Sequence, residues 1–552
     1  MPSLTIAAVL LLMSFSSAAQ APAADLDQSY QDPDTRKLVA LVEDAAEAVR
    51  TRGEAAFDDL CFPGSRWRQG EYYIFVLDRN GYMVAHPDPE LQGKNQIELK
   101  DVNGRPIIRG LLQAATAAPD KRSGWYHYQW PVPGGLLPRW KSSYVRLVSA
   151  PSGREYVVGS GLYNDRMERG FVTDMVANAV EVIERLGPGA FPLFRDPTGP
   201  FLVKDAYVFV VDLDGIELVN PAFPNLEGRN LLDVKDTQGK YLVREMLDVV
   251  RSADSGWVEY MWPKPGDHAS TLKSTWVRRA LLEGRPVLVG AGVYLAHAPR
   301  ETVTAAKATA SEVTRLVRAG VAVLEREGER AYPRFREKDS RWFHNDTYLF
   351  VWNMRGVRIF NAAIPEGEGL DVSELKDVLG RPLGRMILDV AASPSGEGWI
   401  HYMYPEPGGL FPTWKSTFLK RVTYPSGEQF VVGSGVYNMR LERAFIEDVV
   451  DRAAALIEAR GRGAFDRLRD KTGPFRFMDI YVFVDTPDGT ELVNPAQPSL
   501  EGTNLMGLKD VNGKLVAREY IAAAMKDGRS WVEYYWYRPG DNVPARKETF
   551  VR

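Results

Sequence analysis

At 552 residues the chain is too long for one hydrophobic core, so several domains are expected. Hydrophobic residues make up 45% and charged residues 25%, and the formal net charge of -4 gives no electrostatic case for nucleic acid or an anionic membrane surface. A single cysteine, Cys61, excludes an intramolecular disulfide; beside Leu60 and Phe62 it reads as a small buried hydrophobe.

The first element is an uncharged run from Leu4 to Phe15 followed by small residues, which reads as a secretory signal peptide over residues 1–23. Its first residues lack Lys and Arg, and cleavage after Ala18, Ala19 or Ala23 satisfies the small-residue rule. A periplasmic or secreted chain is expected, with an uncleaved N-terminal anchor as the alternative. No later stretch approaches the roughly 20 apolar residues of a membrane span.

The rest of the chain repeats itself. "GWYHYQWPVPGGLLPRWKSSYV" begins at Gly124 and returns at Gly256, Gly398 and Ser530. Copies one and three carry Pro-Gly-Gly and copies two and four Pro-Gly-Asp, so a tandem pair has itself been duplicated. Four domains follow, at 31–164, 165–296, 297–438 and 439–552.

Each repeat opens with an amphipathic helix. Phe171, Met175, Ala179, Val182 and Leu186 fall three to four apart, and Gly187-Pro188-Gly189 ends the run. A hairpin comes next, as in "YVFVVDLDGIELVNP", with turn pairs at Asn80-Gly81, Asp214-Gly215 and Asp488-Gly489. A polar "LKD" connection then leads to a second helix, and its aspartates read as solvated turn residues. The aromatic motif supplies a strand, a turn and a strand, and the first three repeats close on strands such as "EYVVGSGLYN". The predicted class is α+β, with one antiparallel sheet and segregated helices per domain. The fourth repeat stops at "KETFVR" without a closing strand. If an edge strand is missing there, either the gene continues or a partner or neighbouring chain supplies it.

These motifs, in this order, resemble single Cache domains, PAS-like sensor modules found outside bacterial membranes. The carriers are D-x-D-G, "N-P…L-E-G-x-N…L-K-D", "G-W-V-E-Y-x-W-P-x-P-G", "K-S-[ST]-[aromatic]-V" and "V-V-G-[SA]-G-[LV]-Y". The resemblance implies tandem PAS-like domains, each with a long N-terminal helix behind a central antiparallel sheet and a small-molecule pocket on the other face. It further implies small carboxylates or related metabolites as ligands, and a chemoreceptor or histidine kinase as the setting.

Alternation along the strands divides the residues. Tyr126, Tyr128 and Trp130 share one face, while Trp125, His127 and Gln129 share the other. Trp125, Trp257, Trp399 and Trp531 are assigned to packing under the helix. The candidate pocket takes Tyr128, Trp130, Lys141 and Ser143 in the first repeat and Tyr260, Trp262, Lys273 and Thr275 in the second. The third supplies Tyr402, Tyr404, Lys415 and Thr417, and the fourth Tyr534, Trp536, Lys547 and Thr549. A lysine beside a hydroxyl, opposite an aromatic strand, offers charge and donors to a carboxylate; a solvated strand lysine is the competing reading. The tyrosines fit pocket lining or core packing equally. His86, Asn220, Asn361 and Asn494 occupy one equivalent position, where they can reach a ligand or cap a strand end.

No cofactor or metal is expected: none of the six histidines forms an H-x-x-x-H pair, and no phosphate loop or G-x-S-x-G elbow occurs. The expected function is extracytoplasmic binding of a small organic ligand such as a carboxylate, without chemistry. Its expected partners include a membrane signalling protein and no nucleic acid; the sequence does not fix the oligomeric state. The alternatives are a non-catalytic scaffold that no longer binds ligand, and the sensor part of a longer signalling protein. Because only copies one and three carry a tryptophan before the lysine, two pocket types are expected.

Overall fold

Apolar residues at helical spacing dictate a long helix at the head of each repeat. The helices Pro33–Arg52, Arg169–Leu186, Ala310–Glu327 and Arg443–Arg460 each stop at a glycine with positive φ (Gly53, Gly187, Gly328 and Gly461), a conformation a side chain resists. The structure is a computed structural model that describes residues 30–69, 72–116, 122–131, 138–163, 166–265, 270–295, 308–344, 347–405, 412–437, 439, 441–537 and 544–552. The expected signal peptide and the Pro-Gly-Gly and Pro-Gly-Asp turns lie outside the described residues. Among the described residues no helix is long and apolar enough to cross a membrane.

Three antiparallel five-stranded sheets share one strand order. In the first, Met83–Ala85 pairs with Phe75–Asp78, which pairs with the closing strand Glu155–Tyr163. The closing strand pairs in turn with the lysine strand Pro138–Ser149, and that with the aromatic strand Ser123–Pro131. The second and third sheets repeat this order through residues 209–294 and 350–437. One face of each sheet takes the long helix; the other takes a short amphipathic helix, Ile107–Ala115, Leu242–Ser252 or Leu383–Ala392. A two-stranded ribbon ahead of the hairpin, Arg68–Gln69 with Tyr72–Tyr73 in the first repeat, is an element the sequence reading did not contain.

The closing strand is therefore the middle strand of the sheet, not an edge as the sequence suggested. It is last in the chain, yet it inserts between the hairpin and the lysine strand. In the fourth repeat Val484–Asp485 with Glu491–Val493, and Ser530–Tyr537 with Pro544–Val551, form two separate two-stranded sheets. A cavity of about 310 Å³ lies between them, lined by Val449, Ala453 and Ile457 of the long helix and by Val484 and Val551.

The glycines of V-V-G-S-G are explained by the opposite strands. A Cβ on Gly159 would meet the Phe75 ring at 2.5 Å, and one on Gly161 would meet Ser143 Oγ at 2.4 Å and Lys141 Cε at 2.5 Å. Gly292 and Gly435 likewise make room for Thr275 and Thr417.

Neighbouring repeats are docked in pairs. Trp140 packs into the second repeat's core with Val172 and Val176. Arg105 donates to the carbonyls of Pro197 and Gly199 at 2.8 and 2.7 Å. Trp414 shares a core with Phe445, Phe475 and Phe477 of the fourth repeat, and Arg381 donates to the Gly473 carbonyl at 2.8 Å. The tryptophan that distinguishes copies one and three is thus an interface residue; its parity places it opposite the pocket lysine. His127 and His401 lie on the same face, each 2.8–2.9 Å from a serine hydroxyl and against Phe171 or Phe445. Cys61 is half-buried and Phe62 is 66% exposed, so only Leu60 of that trio is core.

Candidate functional site

The pocket face of each sheet is built by cross-strand pairing. Tyr128 stands opposite Lys141, Tyr260 opposite Lys273, Tyr402 opposite Lys415 and Tyr534 opposite Lys547. The tyrosine hydroxyls lie 3.0, 3.0, 3.1 and 2.9 Å from Ser143, Thr275, Thr417 and Thr549. The next aromatic on each strand (Trp130, Trp262, Tyr404 and Trp536) stands edge-on to its tyrosine at 5.8–6.1 Å. The structure therefore gathers the four residues predicted in every repeat, on the face away from the long helix. Trp125, Trp257, Trp399 and Trp531 lie on the helix face; Trp125 donates to Tyr30, and Trp531 to Glu447 of the helix.

Lys141, Lys273 and Lys415 are buried, 1%, 0% and 4% exposed, so they are not solvated strand lysines. Lys547 is half-buried beside the split in the fourth sheet. Four tyrosines that the sequence reading passed over explain this burial. Tyr73, Tyr207, Tyr348 and Tyr481 end the short ribbon; their signal was the first letter of the recurrent Y-x-F-V. Lys141, Lys415 and Lys547 donate to Tyr73, Tyr348 and Tyr481 at 2.6, 3.1 and 2.7 Å. Closing-strand tyrosines cover the lysines from the other side: Tyr163, Tyr294 and Tyr437 ring centroids lie 5.5, 5.2 and 4.3 Å from the ammonium.

The second repeat differs. Lys273 Nζ lies 3.9 Å from the Tyr207 ring centroid but has no hydrogen-bond partner. Burial pushes its pKa down to about 7, with Asp205 and Glu217 only partly opposing the fall. For Lys415 burial also disfavours the charge, but the oxygens of Tyr348, Tyr402 and Tyr437 outweigh it and hold the pKa above the ordinary lysine value.

His86 and its equivalents end the hairpin at the rim. The His86 ring stands 5.2 Å from Tyr73, and its Nδ1 accepts from the Asp88 amide at 2.9 Å. Burial and Lys141 hold it neutral, at about 4. Asn220, Asn361 and Asn494 accept amides two or three residues on, at 2.8–3.2 Å. All four thus cap the strand end. Asn220 and Asn494 also donate to the buried carboxylates Glu217 and Glu491, at 2.9 and 2.7 Å. Neither glutamate was among the predicted site residues, although the E of E-L-V-N-P in copies two and four was visible. In the fourth repeat, Tyr481, Glu491, Asn494, Tyr534, Trp536 and Lys547 enclose a cavity of about 20 Å³, the room of a single water.

The "LKD" aspartates are not solvated turn residues. Asp236 and Asp377 are buried, and each accepts two amides of its own loop and one of the aromatic strand, from Met261 or Met403 at 2.9 Å. Asp101 and Asp510 do the same with Gln129 and Tyr535. They clamp the loop over the pocket strand, while Lys100, Lys235, Lys376 and Lys509 remain exposed.

A family model described as Cache domain matches residues 64–168, 200–442 and 463–552. The chain is 31% identical over 120 residues to the methyl-accepting chemotaxis protein McpP of Pseudomonas putida, covering 22% of this chain and 21% of that protein. It is 35% identical over 92 residues to the sensor histidine kinase MctS of Rhizobium johnstonii, covering 17% and 19%. It thus spans about a fifth of the length of these curated relatives. A solved structure described as the structural basis for carboxylic acid recognition by a Cache chemosensory domain is 26% identical and covers 23% of this chain and 91% of its own, with a TM-score of 0.21. With the family model matching most of its length, this chain belongs to the Cache domain family.

Proposed function

We propose that the chain is an extracytoplasmic sensor for small organic carboxylates, in which the repeats 31–164, 165–296, 297–438 and 439–552 are separate binding units that do no chemistry on the ligand. The ligand-binding residues are the tyrosine, second aromatic, lysine and hydroxyl of each repeat. The observation that carries this reading is Lys273: a fully buried ammonium without a hydrogen-bond partner, between phenol rings and beside Thr275. A buried donor left unpaired is costly, and a carboxylate in that place adds a charged hydrogen bond of about 1.5–3 kcal/mol. The likeness of parts of the chain to a chemotaxis protein and a sensor histidine kinase supports a membrane signalling protein as the recipient of the bound state.

The test is calorimetric titration and a thermal-shift screen of the full chain with C2–C6 carboxylic acids. Binding is expected, with affinity reduced at least tenfold at a site when its lysine becomes methionine. If no acid binds, or the methionine variants bind equally well, the reading fails.

A further inference from the structure

One residue pair in the first repeat reverses the sizes found in the other three. On the short helix Gly110 stands where Glu245, Met386 and Glu519 stand, and on the aromatic strand Tyr126 stands where Val258, Ile400 and Val532 stand. A glycine inside a helix is costly to order, yet a Cβ at Gly110 would fall on the Tyr126 ring. The ring passes beneath the helix, and its far end lines a cavity of about 100 Å³ between the first and second repeats. Gln113 of the same helix lines this cavity from the first repeat; Glu181, Val182 and Arg185 of the long helix and Phe201 line it from the second.

The polar groups around the cavity are free. Tyr126 is 4% exposed, and its hydroxyl has no hydrogen-bond partner among the described residues. Glu181 is half-buried and Arg185 exposed, one helical turn apart, and neither is paired with the other or with any described group. The equivalent place between the third and fourth repeats is built differently. There Ile400, Ala455 and Ala459 replace Tyr126, Glu181 and Arg185, and Asp389, in the place of Gln113, is paired with Arg467 at 3.3 Å. Both junctions keep the docking tryptophan, Trp140 or Trp414. The free groups of the first junction are therefore not needed to hold two repeats together.

Those groups define a ligand chemistry. Glu181 and Arg185 cancel in charge, so an ion of either sign entering the cleft meets its like where water is scarce. Glu181 only accepts hydrogen bonds, Arg185 only donates, and Gln113 does both. Burial pushes the Tyr126 phenol up to about 12, so it keeps its proton and donates. Hydroxyl groups, each a donor and an acceptor, satisfy all four side chains, and Val182 and Phe201 offer apolar wall to the carbons between them. Since an engineered cavity of about 150 Å³ takes benzene, this one holds a molecule of about four to six non-hydrogen atoms.

We propose that the cleft between the first and second repeats is a binding site for a small neutral polyol of the size of glycerol, held by Tyr126 and Gln113 from one repeat and by Glu181 and Arg185 from the other. A ligand held from both sides tightens the pair, and it does so without the lysines of the sheets.

The test is calorimetric titration of the full chain with ethylene glycol and with glycerol. One saturable site is expected for at least one of them, undiminished by an excess of acetate or methylammonium. Tyr126→Phe keeps the ring and removes only the hydroxyl, and Glu181→Gln removes the charged acceptor; each should weaken binding at least tenfold. Gly110→Met with Tyr126→Ile installs the pair with which the third repeat folds, and should abolish binding while circular dichroism shows wild-type helix content. The absence of saturable polyol binding, binding that survives these variants, or displacement of the polyol by either ion overturns the proposal.

Discussion

The second and third repeats place one lysine at the same register and give it opposite surroundings. Lys415 donates to Tyr348 and lies among three phenols, so its charge is supported. Lys273 lies against the same kind of rings with no hydrogen bond, and Glu217 shares its pocket without pairing to it. Position in a fold therefore fixes where a charge sits; whether the charge is tolerated depends on a few polar atoms around it.

The largest test of this contrast is pH. Lys273, lowered to about 7, is neutral in the folded state above that pH while the unfolded chain still carries the proton up to about 10.4. Its penalty on folding is full below about 7 and is relieved as pH rises. Glu217, raised to about 8, acts in the opposite sense between about 4.3 and 8, where the unfolded chain has already lost the proton. From pH 8 to 10 Lys273 alone of this pair acts, and its relief should contribute about 2–3 kcal/mol to the second repeat. Calorimetry of wild type against Lys273→Met across this range should show the mutant's advantage shrinking. Lys415, with its pKa raised, contributes stability that is fully present below about 10.4 and lost only as pH climbs higher, so Lys415→Met should be destabilised throughout. Parallel pH profiles for the two variants would remove the distinction.

A steric test comes next. Gly161→Ala and Gly435→Ala drive a methyl into Ser143 and Lys141, or into Thr417, and should each cost about 1–3 kcal/mol by thermal unfolding. An unchanged melting temperature would mean that the lysine strand yields easily. The loop clamp is a similar or smaller effect: Asp377→Ala leaves three amides without an acceptor and should cost about 1–3 kcal/mol, with faster amide exchange at Met403. Asp510→Ala, in the more exposed copy, should cost less.

The smallest contrast lies on the opposite face, where odd repeats have His127 and His401 and even ones Glu259 and Glu533. Burial holds both histidines well below the ordinary value, helped by Lys204 and Arg105 at His127 and by Arg452 and Arg381 at His401. Their stability is present above about pH 6.5 and lost as pH falls, so the paired repeats should loosen on acidification. Replacing both with glutamine should flatten that fall between pH 6.5 and 5, read by calorimetry. An unchanged acid limb would place the acid-sensitive groups elsewhere.

Much of this was legible in the sequence because strand parity is local. Alternation alone put Tyr128, Trp130, Lys141 and Ser143 on one face and Trp125 on the other, and internal repetition supplied the order of elements. What sequence could not supply was which strands become neighbours. Closing strands such as Glu155–Tyr163 are last in the chain but central in the sheet, since hydrogen bonding between strands ignores chain order. That placement buries the lysines, brings Tyr73 and its equivalents to them, and turns the glycines into sockets. Trp140 and Trp414 looked like pocket markers because they adjoin the lysine in sequence; the pleat sends them to the facing repeat instead. Glu217 drew no notice for a related reason: its meaning comes from a lysine 56 positions later, which only the folded sheet brings near enough to act on it.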